Sequence, residues 1–209
     1  CVYKDNRRYI HDDSNTVQVR RNGDLQLKYR KENFMTYAGI GSRKTPRETL
    51  ALMTFLGEWL ANKGVTLHSG HADGADMAFE AGCDKANGKK KIFLPWQNFN
   101  DSDSSFYTQS EAAIEIARQY HPAWGYLSPA AKKLMARNSY QILGEDLQSP
   151  VDFVCCFTPG GRQEGGTAQA LRIAQAYKIP VFNFGHFTNE CEAKKCFNVF
   201  WKKIERKEE

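Results

Sequence analysis

Three glycine-rich segments, at 39–43, 69–76 and 159–167, constrain this chain more than any other feature, because each lies between an apolar run and an amphipathic one. The apolar runs at 35–40, 65–68 and 151–157 are short and nearly continuous, the pattern of strands buried on both faces. The amphipathic runs carry apolar residues at helical spacing, as Leu50, Met53, Leu56 and Leu60 do. Strand, loop and helix in regular alternation predict the α/β class and a Rossmann-like parallel sheet with helices on both faces. In such a sheet, ligands bind beyond the C-terminal strand ends. Glycine lets the backbone approach a ligand there. The helix that follows offers free N–H groups and partial positive charge to an anion. Three such loops in register with the alternation point to one pocket for a phosphate-bearing ligand.

The other elements fill in around this frame. Thr45-Pro46 reads as an N-cap followed by proline at the first helical position, with Glu48 at the third, and that helix ends near Asn62-Lys63-Gly64. A helix through Met77, Phe79 and Cys83 follows the second loop, and a strand at 91–94 leads to Pro95-Trp96. The polar stretch at 98–108 reads as a surface loop, with helices at 109–119, 129–145 and 168–177 and a last strand at 180–184. Residues 1–34 are of another kind. There, 16–20 and 24–29 alternate apolar and polar residues across Arg21-Asn22-Gly23-Asp24, a hairpin signal. The expected organisation is a basic, hairpin-like appendage over 1–34, a Rossmann-like domain over 35–186 and a helical tail over 187–209. Met35 also reads as an internal start site.

Composition narrows the function. With 209 residues, 41% of them hydrophobic and 25% charged, the chain supports one packed domain and an appendage. Of the net charge of +5, most falls in residues 1–34, where eight Lys/Arg face five acids, so the main domain is nearly neutral and is not broadly basic. No apolar run nears the roughly 20 residues that span a bilayer, and no signal-like segment opens the chain. A cytoplasmic protein of a bacterium or a phage-infected host, with no membrane partner, is expected. Cys155 and Cys156 adjoin inside an apolar run and read as small hydrophobes, while Cys191 and Cys196 lack zinc-ligand spacing. No metal and no disulfide is expected.

Gly39-Ile40-Gly41-Ser42-Arg43, Ser69-Gly70-His71-Ala72-Asp73-Gly74-Ala75-Asp76 and Gly165-Gly166-Thr167-Ala168 together resemble the SLOG superfamily. That group takes in the Rossmann domain of DNA-processing protein A, the Lonely Guy phosphoribohydrolases and the SLOG sensor domains of nucleotide-signalling defence systems. The likeness runs from about Met35 to Phe184, and it extends to a branch of short phage proteins. It implies a nucleotide or ADP-ribose-like ligand. It also allows a residue-by-residue comparison with the phosphoribohydrolases. Arg137 matches that family's arginine on the helix before the strand, but Asn138 stands where it has lysine. Pro159-Gly160-Gly161 and Gly166-Thr167 match its loop after an insertion of Arg162-Gln163-Glu164-Gly165. Gln169 and Ala170 stand where it has two glutamates. Cleavage of an N-glycosidic bond needs a carboxylate, which a neutral glutamine cannot replace.

The expected ligand-binding residues are Gly39, Gly41, Ser42, Arg43, Ser69, Gly70, Asp73, Gly74, Asp76, Arg137, Thr158, Gly160, Gly161, Gly165, Gly166 and Thr167. Arg137, Glu164 and Asp76 are weak catalytic candidates. Asp73 and Asp76 read either as helix caps or as acceptors for ribose hydroxyls. His71 reads as a phosphate donor or as incidental, Trp96 as a stacking platform or as packing, and His121-Pro122-Ala123-Trp124 as a lid or a dimer contact. Three functions stand. The first is a protein that senses or sequesters a nucleotide-type ligand, with no required cofactor, no efficient catalysis and a homo-oligomer left open. The second is a nucleoside-monophosphate N-glycosidase, a role that Gln169→Glu would be expected to strengthen. The third is a single-stranded DNA binder like DNA-processing protein A.

Overall fold

The computed structural model describes residues 16–21, 24–29 and 35–206, and it divides into two compact units, residues 1–33 and 34–209. In the first unit, β1 (Thr16–Arg21) pairs antiparallel with β2 (Asp24–Tyr29), with Arg21 opposite Asp24. The expected turn at Asn22-Gly23 lies outside the described residues.

The second unit is built on five parallel strands: β3 (Thr36–Gly41), β4 (Thr66–Ser69), β5 (Lys90–Ile92), β6 (Phe153–Phe157) and β7 (Val181–Asn183). Their order is β5-β4-β3-β6-β7, and each neighbouring pair is parallel. The six helices described are α1 (Arg47–Asn62), α2 (Ala75–Lys85), α3 (Glu111–Gln119), α4 (Pro129–Leu143), α5 (Gly165–Ala176) and α6 (Glu190–Glu205).

The period of two in the central strands decides which helices lie on which face. Tyr37, Phe153, Cys155 and Phe157 join the cluster formed by the apolar sides of α1, α2 and α6. Ala38, Ile40, Val154 and Cys156, one residue out of phase, join the cluster formed by α4 and α5. Helix α3 packs on α4 through Ala113 and Ala117 against Met135, Ala136 and Tyr140. Both cysteines of the β6 pair are thus core residues, and the five cysteines described are all unbridged.

Two details differ from the sequence reading. Thr45 does not cap α1. Its hydroxyl donates to the Ser42 carbonyl at 2.7 Å, Pro46 is extended with ψ 149°, and the helix starts at Arg47 without a side-chain cap. The hydroxyl is consumed by the preceding loop, so no capping box forms with Glu48. The stretch at 187–209, read as a tail, contributes α6 to the main core. Phe197, Trp201 and Ile204 are buried, with Trp201 edge-on to Phe153 at 5.9 Å and to Trp59 at 5.1 Å. Burying each such side chain contributes about 1.5–3 kcal/mol, so this helix belongs to the fold.

Helices α1 and α2 approach closely because each presents glycine to the other. A Cβ on Gly57 would lie 2.5 Å from the Phe79 carbonyl oxygen, and one on Gly82 would lie 2.8 Å from the Glu58 nitrogen. This contact brings the first turn of α2 against the loop after β3.

Candidate functional site

In the strand order β5-β4-β3-β6-β7, the chain moves one way from β3 and the other way from β6. Connections that diverge leave a crevice between the two strand ends. A cavity of about 500 Å³ occupies that place, lined in part by Gly41, Ser42, Arg43, Asp76, Arg137, Asn138, Gln141, Thr158 and the 164–167 segment. This volume is within the range that holds a small ligand.

The floor is a buried polar cluster assembled from three elements. Gly74 starts α2 with φ 87°, a conformation that glycine adopts freely. That turn aims the carboxylate of Asp76 back across the sheet, where Oδ1 accepts from the Gly41 N–H at 3.1 Å. The Gln141 amide donates to Oδ2 at 3.4 Å, and the Arg137 guanidinium lies 3.7 Å from the same oxygen. Burial pushes the Asp76 pKa up to about 6, against the pull of Arg137 and with added repulsion from Glu80. Asp76 therefore does not cap α2; it binds the end of β3 to α4.

Arg137 is 6% exposed. Its Nη1 donates to the Gly70 carbonyl at 2.5 Å, and its Nε is buried without a partner among the described residues. Burial lowers its pKa; Asp76 and Glu80 oppose that shift, and Arg43 adds to it. Two guanidinium groups thus repel each other at this cavity, and one buried N–H of Arg137 is unspent. An anion would relieve both costs.

The far wall comes from β6 and α5. The Thr158 N–H donates to Asn183 Oδ1 at 3.1 Å and the Asn183 amide donates to the Thr158 hydroxyl at 2.7 Å, which clasps the end of β6 to β7. Helix α5 starts with Gly165, Gly166 and Thr167 facing the cavity and has no side-chain cap, so its first N–H groups are open to an anion. Asn138 supports this start by donating to the Gly166 carbonyl at 3.2 Å and to Gln169 Oε1 at 3.0 Å. Gln169 is fully buried, does not line the cavity, and keeps Nε2 without a partner among the described residues.

The expected residues separate into three groups. Gly41, Ser42, Arg43, Asp76, Arg137, Thr158, Glu164, Gly165, Gly166 and Thr167 meet at the cavity. Gly39, Ser69, Gly70 and Gly74 lie behind it: the Ser69 hydroxyl donates to the Gly39 carbonyl at 3.1 Å, Gly70 receives Arg137, and a Cβ on Gly74 would lie 2.6 Å from the Ser42 carbonyl oxygen. Asp73, Gly160 and Gly161 do not line it; Asp73 is exposed, and Gly161 abuts the His186 ring. His71 is also off the cavity, with its Nδ1 2.7 Å from Glu80 Oε2, and Trp96 packs edge-on to Phe99 at 5.1 Å. Trp124 packs with the α3–α4 cluster. Gln141 and Leu134 went unread, although the helical repeat through Arg137 places both on its face of α4.

Among the described residues, no three His, Cys, Asp or Glu side chains gather as a metal site, and no helix is long and apolar enough to cross a membrane. No protein-family model and no curated protein matches the chain. Solved structures do. DNA processing protein A from Helicobacter pylori, described by its single-stranded DNA binding mode, superposes with a TM-score of 0.50 at 19% identity, over 82% of this chain and 74% of its own. Two structures of the molybdenum cofactor carrier protein of Chlamydomonas reinhardtii give TM-scores of 0.47 and 0.46 at 19% and 16% identity, over 81% of this chain and 86% and 87% of theirs. The second unit thus has a Rossmann-like α/β fold, and the chain shares that fold with DNA processing protein A.

Proposed function

We propose that the cavity between β3 and β6 binds a phosphorylated, nucleotide-type small molecule, and that the protein senses or sequesters it without efficient catalysis. The observation that carries this reading is Arg137, a buried guanidinium at the cavity with an unspent Nε, faced by Arg43 and by the open start of α5. The apolar side chains of Ile40, Leu134 and Met135 supply a surface for a base. Among the described residues, the carboxylates at the cavity are Asp76, already committed to Gly41, Gln141 and Arg137, and Glu164, paired with Arg162.

Adenosine 5′-monophosphate at 100 times its dissociation constant is expected to stabilise the fold by about 2.7 kcal/mol, read as a rise in Tm. Arg43 is exposed, so Arg43→Ala is expected to leave the Tm of the free protein unchanged and to weaken binding about tenfold or more. Arg137→Ala is the less informative variant, because Arg137 also holds Gly70. No stabilisation by any nucleotide at millimolar concentration would remove the reading.

A second reading, an end of single-stranded nucleic acid, is favoured by one surface. Tyr126 is 93% exposed, and beside it Lys132 lies over the Trp124 ring at 5.6 Å. Aromatic rings beside lysines suit stacked bases and their phosphates. Fluorescence anisotropy with a 5′-phosphorylated oligonucleotide checks it: binding that falls steeply with salt and is lost in Tyr126→Ala is expected, and salt-independent or absent binding would exclude it.

A further inference from the structure

A second concavity lies between α1 and α6, away from the cavity at the strand ends. It has a volume of about 280 Å³ and a floor of Leu52, Leu56, Phe184 and Phe197. A cavity of about 150 Å³ takes benzene, so this groove holds an aromatic side chain. Phe55 lines its mouth and is 56% exposed, which leaves apolar surface facing water. The rim is cationic. On α1, Phe55, Trp59 and Lys63 follow one another at four-residue spacing, and the Lys63 ammonium stands 5.3 Å from the Trp59 ring centroid. On α6, Lys194, Asn198 and Lys202 recur at the same spacing, and the Lys194 ammonium stands 5.3 Å from the Phe55 ring centroid. Lys194 also meets Glu190, one turn back, which leaves its other N–H donors open. Among the described residues that line the groove, Lys194 carries charge and none is acidic.

We propose that this groove docks an acidic peptide segment of a partner protein. A large apolar side chain of that segment enters against Phe55 and Trp59, and flanking carboxylates meet Lys194 and Lys63. Docking here is independent of what the cavity between β3 and β6 binds. Shape and charge select this occupant. The floor offers apolar contact alone, so the group that enters is apolar, and such an anchor supplies most of the affinity. The Phe55–Trp59–Lys63 row has Lys194 over its first ring and Lys63 at its far end, so the complementary segment carries acids on both sides of the anchor. A nucleic acid fits less well, because the ring faces on which bases would stack already carry the two lysines. A second copy of the chain fits less well too. A two-fold interface centred on the groove would set the lysines of one copy against the same lysines of the other.

Fluorescence anisotropy on the full chain tests this with three labelled peptides: Asp-Asp-Leu-Phe-Asp-Asp, the same peptide with Ala-Ala in place of Leu-Phe, and Lys-Lys-Leu-Phe-Lys-Lys. The first is expected to bind about tenfold more tightly than either of the others, with an affinity that falls as salt rises. Phe55→Ala removes one wall of the groove and is expected to weaken the first peptide about fivefold or more. Lys194→Gln removes one rim charge and is expected to weaken it about threefold. Both residues are exposed, so the melting temperatures of the free variants are expected to match the parent. Failure of the first peptide to bind at millimolar concentration overturns the proposal, as does equal binding to the parent and to Phe55→Ala. Binding of an oligothymidylate that Phe55→Ala abolishes would make nucleic acid the occupant. Self-association in sedimentation that Phe55→Ala abolishes would make it a second copy. Either result overturns the peptide site.

Discussion

Asp76→Ala is expected to destabilise the protein by about 3–5 kcal/mol at pH 7, the usual cost of leaving a buried charge without its partner. The Arg137 guanidinium would lose the carboxylate 3.7 Å away, and the Gly41 N–H would lose its acceptor. For a unit of this size that is a fall in Tm on the order of 10 °C. Asp76→Asn keeps the shape and the Gly41 contact, so its cost is smaller. The pH profile separates the two variants from the parent. Burial raises the Asp76 pKa from 3.8 to about 6, so between those values the native state holds a proton that the unfolded chain has released. The Asp76 contribution to stability therefore falls as pH rises from about 4 to about 6, by about 3 kcal/mol. His68, whose pKa burial lowers from 6.5 to about 4, contributes a rise over nearly the same window, so the parent is expected to be nearly level there. The Asn variant removes the Asp76 contribution and is expected to gain stability as pH rises from about 4 to about 6. Denaturant titrations of both proteins at several pH values would show it. An Asn variant with the pH profile of the parent, and Asp76→Ala costing under about 1 kcal/mol, would mean that Asp76 is hydrated and that the floor is not the closed cluster described.

Gln169→Glu is expected to cost about 3 kcal/mol at pH 7 and to create no base-releasing activity. Likeness to the phosphoribohydrolases suggests the opposite, since it restores a glutamate after Gly166-Thr167. But residue 169 is fully buried behind Asn138 and off the cavity wall. A carboxylate there would face one neutral donor in an apolar surround, and its charge would be only partly compensated. Its folded pKa would rise above the unfolded value, so the loss is small in acid and grows as pH passes upward through the raised pKa. Asn138→Lys in the same chain supplies a counter-charge and is expected to return part of the stability, giving a coupling of about 1 kcal/mol or more in a double-mutant cycle. Chromatographic detection of free adenine from adenosine 5′-monophosphate, run beside the denaturation curves, decides the matter. Base release by Gln169→Glu with no loss of stability would show that residue 169 reaches the substrate.

Periodicity made most of the fold legible. The helical repeat of Leu50, Met53, Leu56 and Leu60, and the continuous apolar run at 151–157, have few other ways to bury their surface. The same logic applied to α6, where Ala193, Phe197, Trp201 and Ile204 recur at helical spacing, shows an apolar stripe but not what it covers; only the packing reveals that it closes over Phe153 and Trp59. The glycines marked the strand ends because backbone geometry is a local property. Partners of polar side chains are not local. Thr45 looked like a cap until the Ser42 carbonyl claimed its hydroxyl, and Asp76 looked like a cap until the Gly41 N–H, 35 residues away, claimed its carboxylate. Asn138 and Gln169 looked like departures from a catalytic pattern, and the structure shows them as one neutral pair.

The clasp between Thr158 and Asn183 gives the cavity an asymmetry. Its two hydrogen bonds join a hydroxyl, a backbone amide and a carboxamide, none of which gains or loses a proton between acid and neutral conditions. The opposite side depends on Asp76, which does. Acidification therefore reaches the floor through Asp76 and leaves this clasp unchanged. The β6–β7 wall stays as a fixed reference, while the β3–α4 floor changes its charge and its grip on Arg137. A ligand anchored to the fixed wall would keep its pose through a swing in pH, whereas one held by the floor would not.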